Sequence, residues 1–231
     1  MPVPLRAIVF DLFDTLVPGG PRSARDALSR LMAEDLGVDR DRFVTVFKNS
    51  FRQRWTGSLG SLEQTIKSLA VECGGAPDSC AVRRAADRRL EFTRQQITPT
   101  TQVLELLAAL QADGWKLGLV SNCSAEIPML WSENPMSKWI KLPVFSCQVG
   151  FCKPDPRIYA RAAQALQIPP PQCVFVADGA GGELPGACTA GMKTIRVRTD
   201  GVDHGTYGGI GTWAGTTIDS VNDLRSALPY L

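Results

Sequence analysis

Leu5-Arg6-Ala7-Ile8-Val9-Phe10-Asp11-Leu12-Phe13-Asp14-Thr15-Leu16 is the stretch whose reading decides the fold. Residues 5–11 are almost continuously apolar and end in an acid, the pattern of a strand buried on both faces of a parallel sheet. Later segments repeat the theme. Residues 115–121 (Trp-Lys-Leu-Gly-Leu-Val-Ser), a short run at 144–147, residues 173–178 and residues 193–198 read as strands. Between and after them, helical spacing marks Thr101 to Ala112, residues 156–166, residues 183–190 and a short closing helix at 221–228. Strands alternating with helices of this length point to βαβ units and an α/β fold on a parallel sheet. In such sheets ligands bind outside the carboxyl ends of the strands. Three strands end there in polar residues, Asp11, Ser121 and Asp178, so that edge is a candidate site.

Residues 19–96 read differently, as helices only. Ser23 and Asp26 resemble a capping box opening a helix that Gly37 stops. Phe43, Phe47 and Phe51 recur every four residues. Ser61 and Gln64 form a second capping box before Leu62, Ile66, Leu69 and Cys73, and Gly74-Gly75 closes it. An Arg-rich helix follows at 78–96, and Gly19-Gly20-Pro21 is a plausible hinge into the whole segment.

Composition excludes several function classes. The 231 residues carry 25 Lys and Arg against 23 Asp and Glu, a net charge of +2, which leaves no electrostatic footprint for nucleic acid. No run of ~18 apolar residues predicts a membrane span. The opening residues lack the charged and apolar regions of a secretory signal, so a cytoplasmic protein is expected. His204 is the single histidine, so a multi-histidine zinc site is excluded and any Ser-His-Asp triad would need that residue. It lies in a glycine-rich stretch at 201–215 that reads as a surface loop. Seven cysteines without a C-x-x-C pair read as reduced thiols, with Cys123 and Cys152 beside the motifs described next.

Four segments, in order, resemble the motifs of the haloacid dehalogenase superfamily of hydrolases. They are Phe10-Asp11-Leu12-Phe13-Asp14-Thr15-Leu16, Leu119-Val120-Ser121-Asn122, Gly150-Phe151-Cys152-Lys153-Pro154-Asp155-Pro156 and Phe175-Val176-Ala177-Asp178-Gly179-Ala180-Gly181-Gly182-Glu183. The resemblance implies a Rossmann-like three-layer core from residues 1–18 and 97–231, with an all-helical cap inserted at 19–96. It implies Asp11 as covalent nucleophile, Ser121 and Asn122 as donors to a transferring anion, and Lys153 as a fixed positive charge. It also implies Mg²⁺ held by Asp11, the backbone carbonyl of Phe13 and Asp178, with Glu183 in support, since hard oxygens suit that ion. Taken singly the residues have plainer meanings. Asp11 and Ser121-Asn122 could shape turns, Lys153 could be a solvated lysine, and Glu183 could be an acid favoured at a helix N-terminus.

Phe13 departs from the pattern. The phosphatases of this superfamily carry a second aspartate there, which protonates the leaving group and then activates water. Loss of such a group typically costs ~10²–10⁴-fold in rate. Side chains alternate along an extended chain, so Asp14 should point away from Phe13 unless a turn follows Asp11. The first expectation is therefore a Mg²⁺-dependent phosphatase of a small, anionic phosphorylated metabolite, working through an aspartyl-phosphate. The alternatives are a metal-free 2-haloacid dehalogenase, whose halide leaves without a proton, and an impaired member that only binds a phosphorylated ligand. Arg52, Arg54 and Trp55 could clamp the substrate. The commoner meaning of the four-residue period is packing, with Phe47, Phe51 and Trp55 in a helical core and the arginines solvated. Arg83-Arg84 and Arg88-Arg89 read as a solvated helix face. Either a monomer or a homodimer is expected, without a membrane partner.

Overall fold

The computed structural model describes residues 4–198 and 213–231, so His204 and most of the expected loop at 201–215 lie outside the described residues. Six strands form one parallel sheet: β1 (Ala7–Phe10), β2 (Lys116–Ser121), β3 (Pro143–Phe145), β4 (Cys173–Ala177), β5 (Lys193–Val197) and β6 (Thr217–Ile218). Their order is β3-β2-β1-β4-β5-β6. The order reverses direction between β1 and β4, so the crevice above those two strands is the expected binding edge.

Side-chain alternation explains why the strands are buried on both faces. Ile8, Phe10, Leu117, Leu119, Val174 and Val176 enter one core, while Ala7, Val9, Val120, Cys173, Phe175 and Ala177 enter the other. On the first face lies α6 (Thr101–Ala112), with Val103, Leu106, Leu107 and Leu110 buried. On the second lie α9 (Pro156–Leu166) and α10 (Glu183–Thr189). The α/β expectation therefore holds, as a three-layer arrangement.

Five helices lie between β1 and α6: α1 (Arg22–Leu36), α2 (Arg40–Asn49), α3 (Phe51–Trp55), α4 (Leu62–Glu72) and α5 (Ser79–Gln96). They enclose a core of their own around Leu28, Met32, Phe43, Phe47, Ile66 and Leu69. Ser61 and Gln64 form the reciprocal capping box read from the sequence. Ser23 does not cap α1; the helix starts one residue earlier, and Pro21 occupies the cap without a side-chain bond. The phenylalanine period is not one helix either. Ser50 separates α2 from α3, and its hydroxyl donates to the Phe47 carbonyl at 2.7 Å.

Shorter elements escaped the sequence reading. They include α7 (Glu126–Trp131), α8 (Ser146–Val149) and the two-residue edge strand β6, whereas the closing helix expected at 221–228 contains α11 (Leu224–Ala227). Periodicity has little to grip in four to six residues. The strand expected at 144–147 is Pro143–Phe145, after which the chain turns into α8. No helix among the described residues is long and apolar enough to cross a membrane.

Candidate active site

β1 and β4 run side by side, and Asp11 and Asp178 follow their last residues. The Asp11 N–H continues the ladder for one residue, donating to the Val176 carbonyl at 2.9 Å. The chain then turns sharply: Leu16 and Val17 N–H donate back to the Leu12 carbonyl, and Asp14 N–H to the Val17 carbonyl at 2.7 Å. Asp14 adopts φ 57°, a left-handed conformation that aspartate tolerates better than most residues. Its carboxylate accepts the Gly19 N–H at 2.8 Å. Because the chain turns here, Phe13 and Asp14 both line the cleft, and the extended-chain alternation does not apply. Thr15 ties the two strand ends together. Its hydroxyl reaches Asp11 Oδ2 at 3.4 Å and accepts the Asp178 N–H at 3.1 Å.

Lys153 is aimed by its backbone. The Asn122 side chain accepts the Lys153 N–H at 2.8 Å and donates to the Lys153 carbonyl at 3.1 Å. Gly186 of α10 lets that helix close on the same segment; a Cβ there would lie 2.5 Å from the Pro154 carbonyl oxygen. So held, the buried Lys153 ammonium contacts Asp11 Oδ1 and donates to Glu183 Oε2 at 2.6 Å. The other Glu183 oxygen accepts the Gly179 N–H at 3.0 Å, and Asp178 Oδ1 accepts the Ala180 N–H at 3.1 Å. Glu183 is thus buried and bonded on both oxygens, which is more than a helix N-terminal acid requires. Ser121 is fully buried, and its hydroxyl has no hydrogen bond among the described residues. It is not among the residues that line the cleft.

The electrostatics follow from burial. Desolvation pushes Asp11 up to about 7 despite the opposing pull of Lys153, and does the same to Glu183, also to about 7. Asp178 is raised too, again first by burial. Burial would lower the Lys153 ammonium, but Asp11 and Glu183 outweigh it and hold the group well above its ordinary value. Three buried carboxylates therefore share one ammonium. Asp11, Asp178 and Glu183 each offer an oxygen within 4.8 Å of the others. Surplus buried negative charge is costly, and a set of hard oxygen donors matches a divalent cation such as Mg²⁺.

The helical insert supplies the opposite wall of a cleft of about 980 Å³. Arg54 is buried there and not solvated as the packing alternative required. It donates to Ser50 Oγ (3.1 Å), Ser124 Oγ (2.8 Å) and the Phe47 carbonyl (3.2 Å), and its guanidinium lies 4.2 Å over the Phe47 ring. Arg52 is exposed at the cleft wall. Trp55 and Phe51 form an edge-to-face pair at 5.2 Å that faces the cleft and not the helical core. Arg89 also departs from the solvated expectation. It donates twice to Glu126 Oε1, at 2.9 and 2.6 Å, with side chains 13% and 3% exposed. Burial would raise Glu126, but Arg89 and Arg54 outweigh it and lower its pKa. Sequence reasoning missed Thr15, Ser124, Glu126 and Arg89. Glu126 had one signal, as the lone acid heading the apolar run Ile127-Pro128-Met129-Leu130-Trp131.

Comparison with known proteins fits this geometry. The chain is 26% identical over 207 residues to a glyceraldehyde 3-phosphate phosphatase of Methanopyrus kandleri, covering 84% of each chain. It is 25% identical over 202 residues to (S)-2-haloacid dehalogenase 1 of Pseudomonas sp., covering 84% of this chain and 85% of that one. Among solved structures, a 2-haloacid dehalogenase from Pseudomonas syringae superposes with a TM-score of 0.70 at 20% identity, over 98% of this chain and 99% of that one. The family model for haloacid dehalogenase-like hydrolase matches residues 5–191, and the chain belongs to that family of hydrolases.

Proposed function

We propose that the protein is a Mg²⁺-assisted phosphohydrolase that acts on a small phosphorylated metabolite through Asp11. One observation carries this reading: Asp178 and Glu183 join Asp11 and Lys153 in a single buried cluster with surplus negative charge. A halide leaves without a proton or a cation, so a reaction at carbon needs at most one further carboxylate, to activate water, and no ion to offset three. Asp11, Asp178 and the Phe13 carbonyl are the residues that would hold the ion, with Glu183 supporting through Lys153. When bound, the ion supplies positive charge that offsets the acids and the phosphoryl oxygens.

The chain's own residues do the rest. An Asp11 oxygen attacks phosphorus, the bond from phosphorus to the leaving oxygen breaks, and an acyl phosphate forms on Asp11. Thr15 and Lys153 orient the carboxylate, and Asn122 fixes Lys153 through its backbone. Water then attacks the acyl phosphate and releases inorganic phosphate, its proton passing to a phosphate oxygen. In this reading residues 19–96 are a cap hinged at Gly19-Gly20-Pro21, residues 1–18 and 97–231 are the core, and Arg52, Arg54 and Trp55 belong to the substrate wall.

A second reading, hydrolysis at carbon as in the haloacid dehalogenases, is favoured by Phe13, which lines the cleft two residues after the nucleophile. An assay with 4-nitrophenyl phosphate and with 2-chloropropionate, each with Mg²⁺ and with chelator, separates the two. Phosphate release that needs Mg²⁺ is expected. Chloride release that survives chelation would replace the first reading by the second.

A further inference from the structure

We propose that the leaving group of the substrate is an aromatic hydroxyl, so that this enzyme hydrolyses aryl phosphate monoesters in preference to alkyl ones. The inference rests on the phosphohydrolase reading and adds the substrate class. Two separate features of the cleft point to it.

The first is the shortage of a proton for the departing oxygen. The acids around Asp11 are tied into hydrogen bonds of their own. Asp14 accepts the Gly19 N–H, Asp178 the Ala180 N–H, and Glu183 both Lys153 and the Gly179 N–H. Lys153 is committed to Asp11 and Glu183. Phe13, two residues after the nucleophile, lines the cleft with a hydrocarbon side chain that has no proton to give. When the bond from phosphorus to the leaving oxygen breaks, both electrons stay on that oxygen. A phenol-like group carries that charge as an aryloxide and takes its proton from solvent afterwards. An alkoxide, far more basic, needs the proton during the step.

The second feature is the wall. Phe13, Phe92 and Phe151 present half-buried rings to the cleft, and the Phe51–Trp55 edge-to-face pair faces it too. Elsewhere among the described residues the exposed large apolar side chains are Leu31, Val71, Met129, Leu142 and Tyr230, none of which lines the cleft. Half-buried aromatics also occur outside the cleft, at Trp115, Trp139 and Trp213, but five half-buried rings line this one cavity, and rings pair well with rings in offset or edge geometry. A polyol or a short acid would leave this wall without a partner.

The test is kcat/KM with Mg²⁺ for phenyl phosphate, 2-naphthyl phosphate, ethyl phosphate and glycerol 1-phosphate, a quantity that reports on steps through leaving-group departure. Phenyl phosphate should exceed both alkyl esters by at least ~100-fold, the low end of what a general acid contributes. The naphthyl ester should exceed phenyl by about three- to tenfold through KM, from added ring contact. Phe13→Asp should narrow the aryl-to-alkyl ratio at least ~10-fold by raising the alkyl rates. Phe13→Leu, which removes a ring but adds no acid, should leave the alkyl rates low and lower only the aryl rates modestly, so a gained proton donor is told apart from lost ring contact or a folding defect. Equal kcat/KM for phenyl and ethyl phosphate in the unaltered enzyme would overturn this inference alone. No phosphate from any ester would overturn the phosphohydrolase reading and this inference with it.

Discussion

Arg89→Ala tests whether the helical insert is pinned to the core by a buried charge network. Arg89 comes from α5, Glu126 from the start of α7, and Arg54 from α3 reaches Ser124 in the loop between β2 and α7. Removing Arg89 leaves Glu126, 3% exposed in its side chain, with the attraction of Arg54 remaining. Breaking one partner of a buried pair costs about 3–5 kcal/mol. The remaining attraction to Arg54 and the 13% exposure of Arg89 place the expected loss near the lower bound, about 3 kcal/mol. For a chain of this length that corresponds to a fall in Tm of roughly 6–12 °C. Glu126→Gln should cost less, because it removes the buried charge itself, and the double variant should be more stable than Arg89→Ala. Urea unfolding of the four proteins gives the coupling energy directly. Arg30→Ala is the internal control, since Arg30 pairs with Asp41 on the open surface and should leave the midpoint in place. An Arg89→Ala protein within ~0.5 kcal/mol of the unaltered one, or a coupling of that size or less, refutes the reasoning.

Other expectations follow from the same geometry. Asp11→Asn should abolish turnover while keeping the far-UV circular dichroism and the unfolding midpoint, because the amide is isosteric; retained full activity would remove Asp11 as nucleophile. Asn122→Ala should lower kcat while leaving Mg²⁺ affinity largely intact, since it frees the backbone that aims Lys153 and touches no acid of the cluster; unchanged kcat would show that Lys153 is positioned without it. Arg52→Ala should raise KM with little change in melting temperature, whereas Arg54→Ala should lower both activity and stability, given its three hydrogen bonds; equal behaviour of the two would contradict their different burial. Glu126 has a lowered pKa in the fold, so its stabilisation is present above its unfolded value of 4.5 and is lost as pH falls through the lower folded value. Glu126→Gln should therefore flatten the stability curve below pH 4.5, measured by unfolding at several pH values; an unchanged acid limb would show that the network does not titrate.

The sheet was legible because a strand buried on both faces has a sequence signature: Ile8 to Phe10 and Val174 to Ala177 are apolar without interruption. The strand-end acids Asp11 and Asp178 stood out for the same reason, as polar stops on apolar runs. What could not be read is tertiary. The periodic aromatics did mark helices, but the break at Ser50 turns Phe51 and Trp55 toward the cleft, and periodicity carries no sign of which side of a helix meets the core. Arg54 and Arg89 look like ordinary surface arginines until the partners Ser124 and Glu126 arrive from 70 and 37 residues away. Asn122 shows a third limit. The motif suggested a donor to substrate; it carried no sign that the side chain also bonds the Lys153 backbone both ways while lining the cleft.

The central claim is that Asp11 becomes phosphorylated. It is tested most directly by mixing the enzyme with Mg²⁺ and excess 4-nitrophenyl phosphate, quenching in acid within the first turnovers, and mapping the products by peptide mass spectrometry. With Phe13 unable to activate water, breakdown of the intermediate should be slow enough for it to accumulate. The account predicts one phosphoryl group on the peptide carrying Asp11, absent from Asp11→Asn. Phosphate release with no modified Asp11, or with the group on another residue, would contradict it.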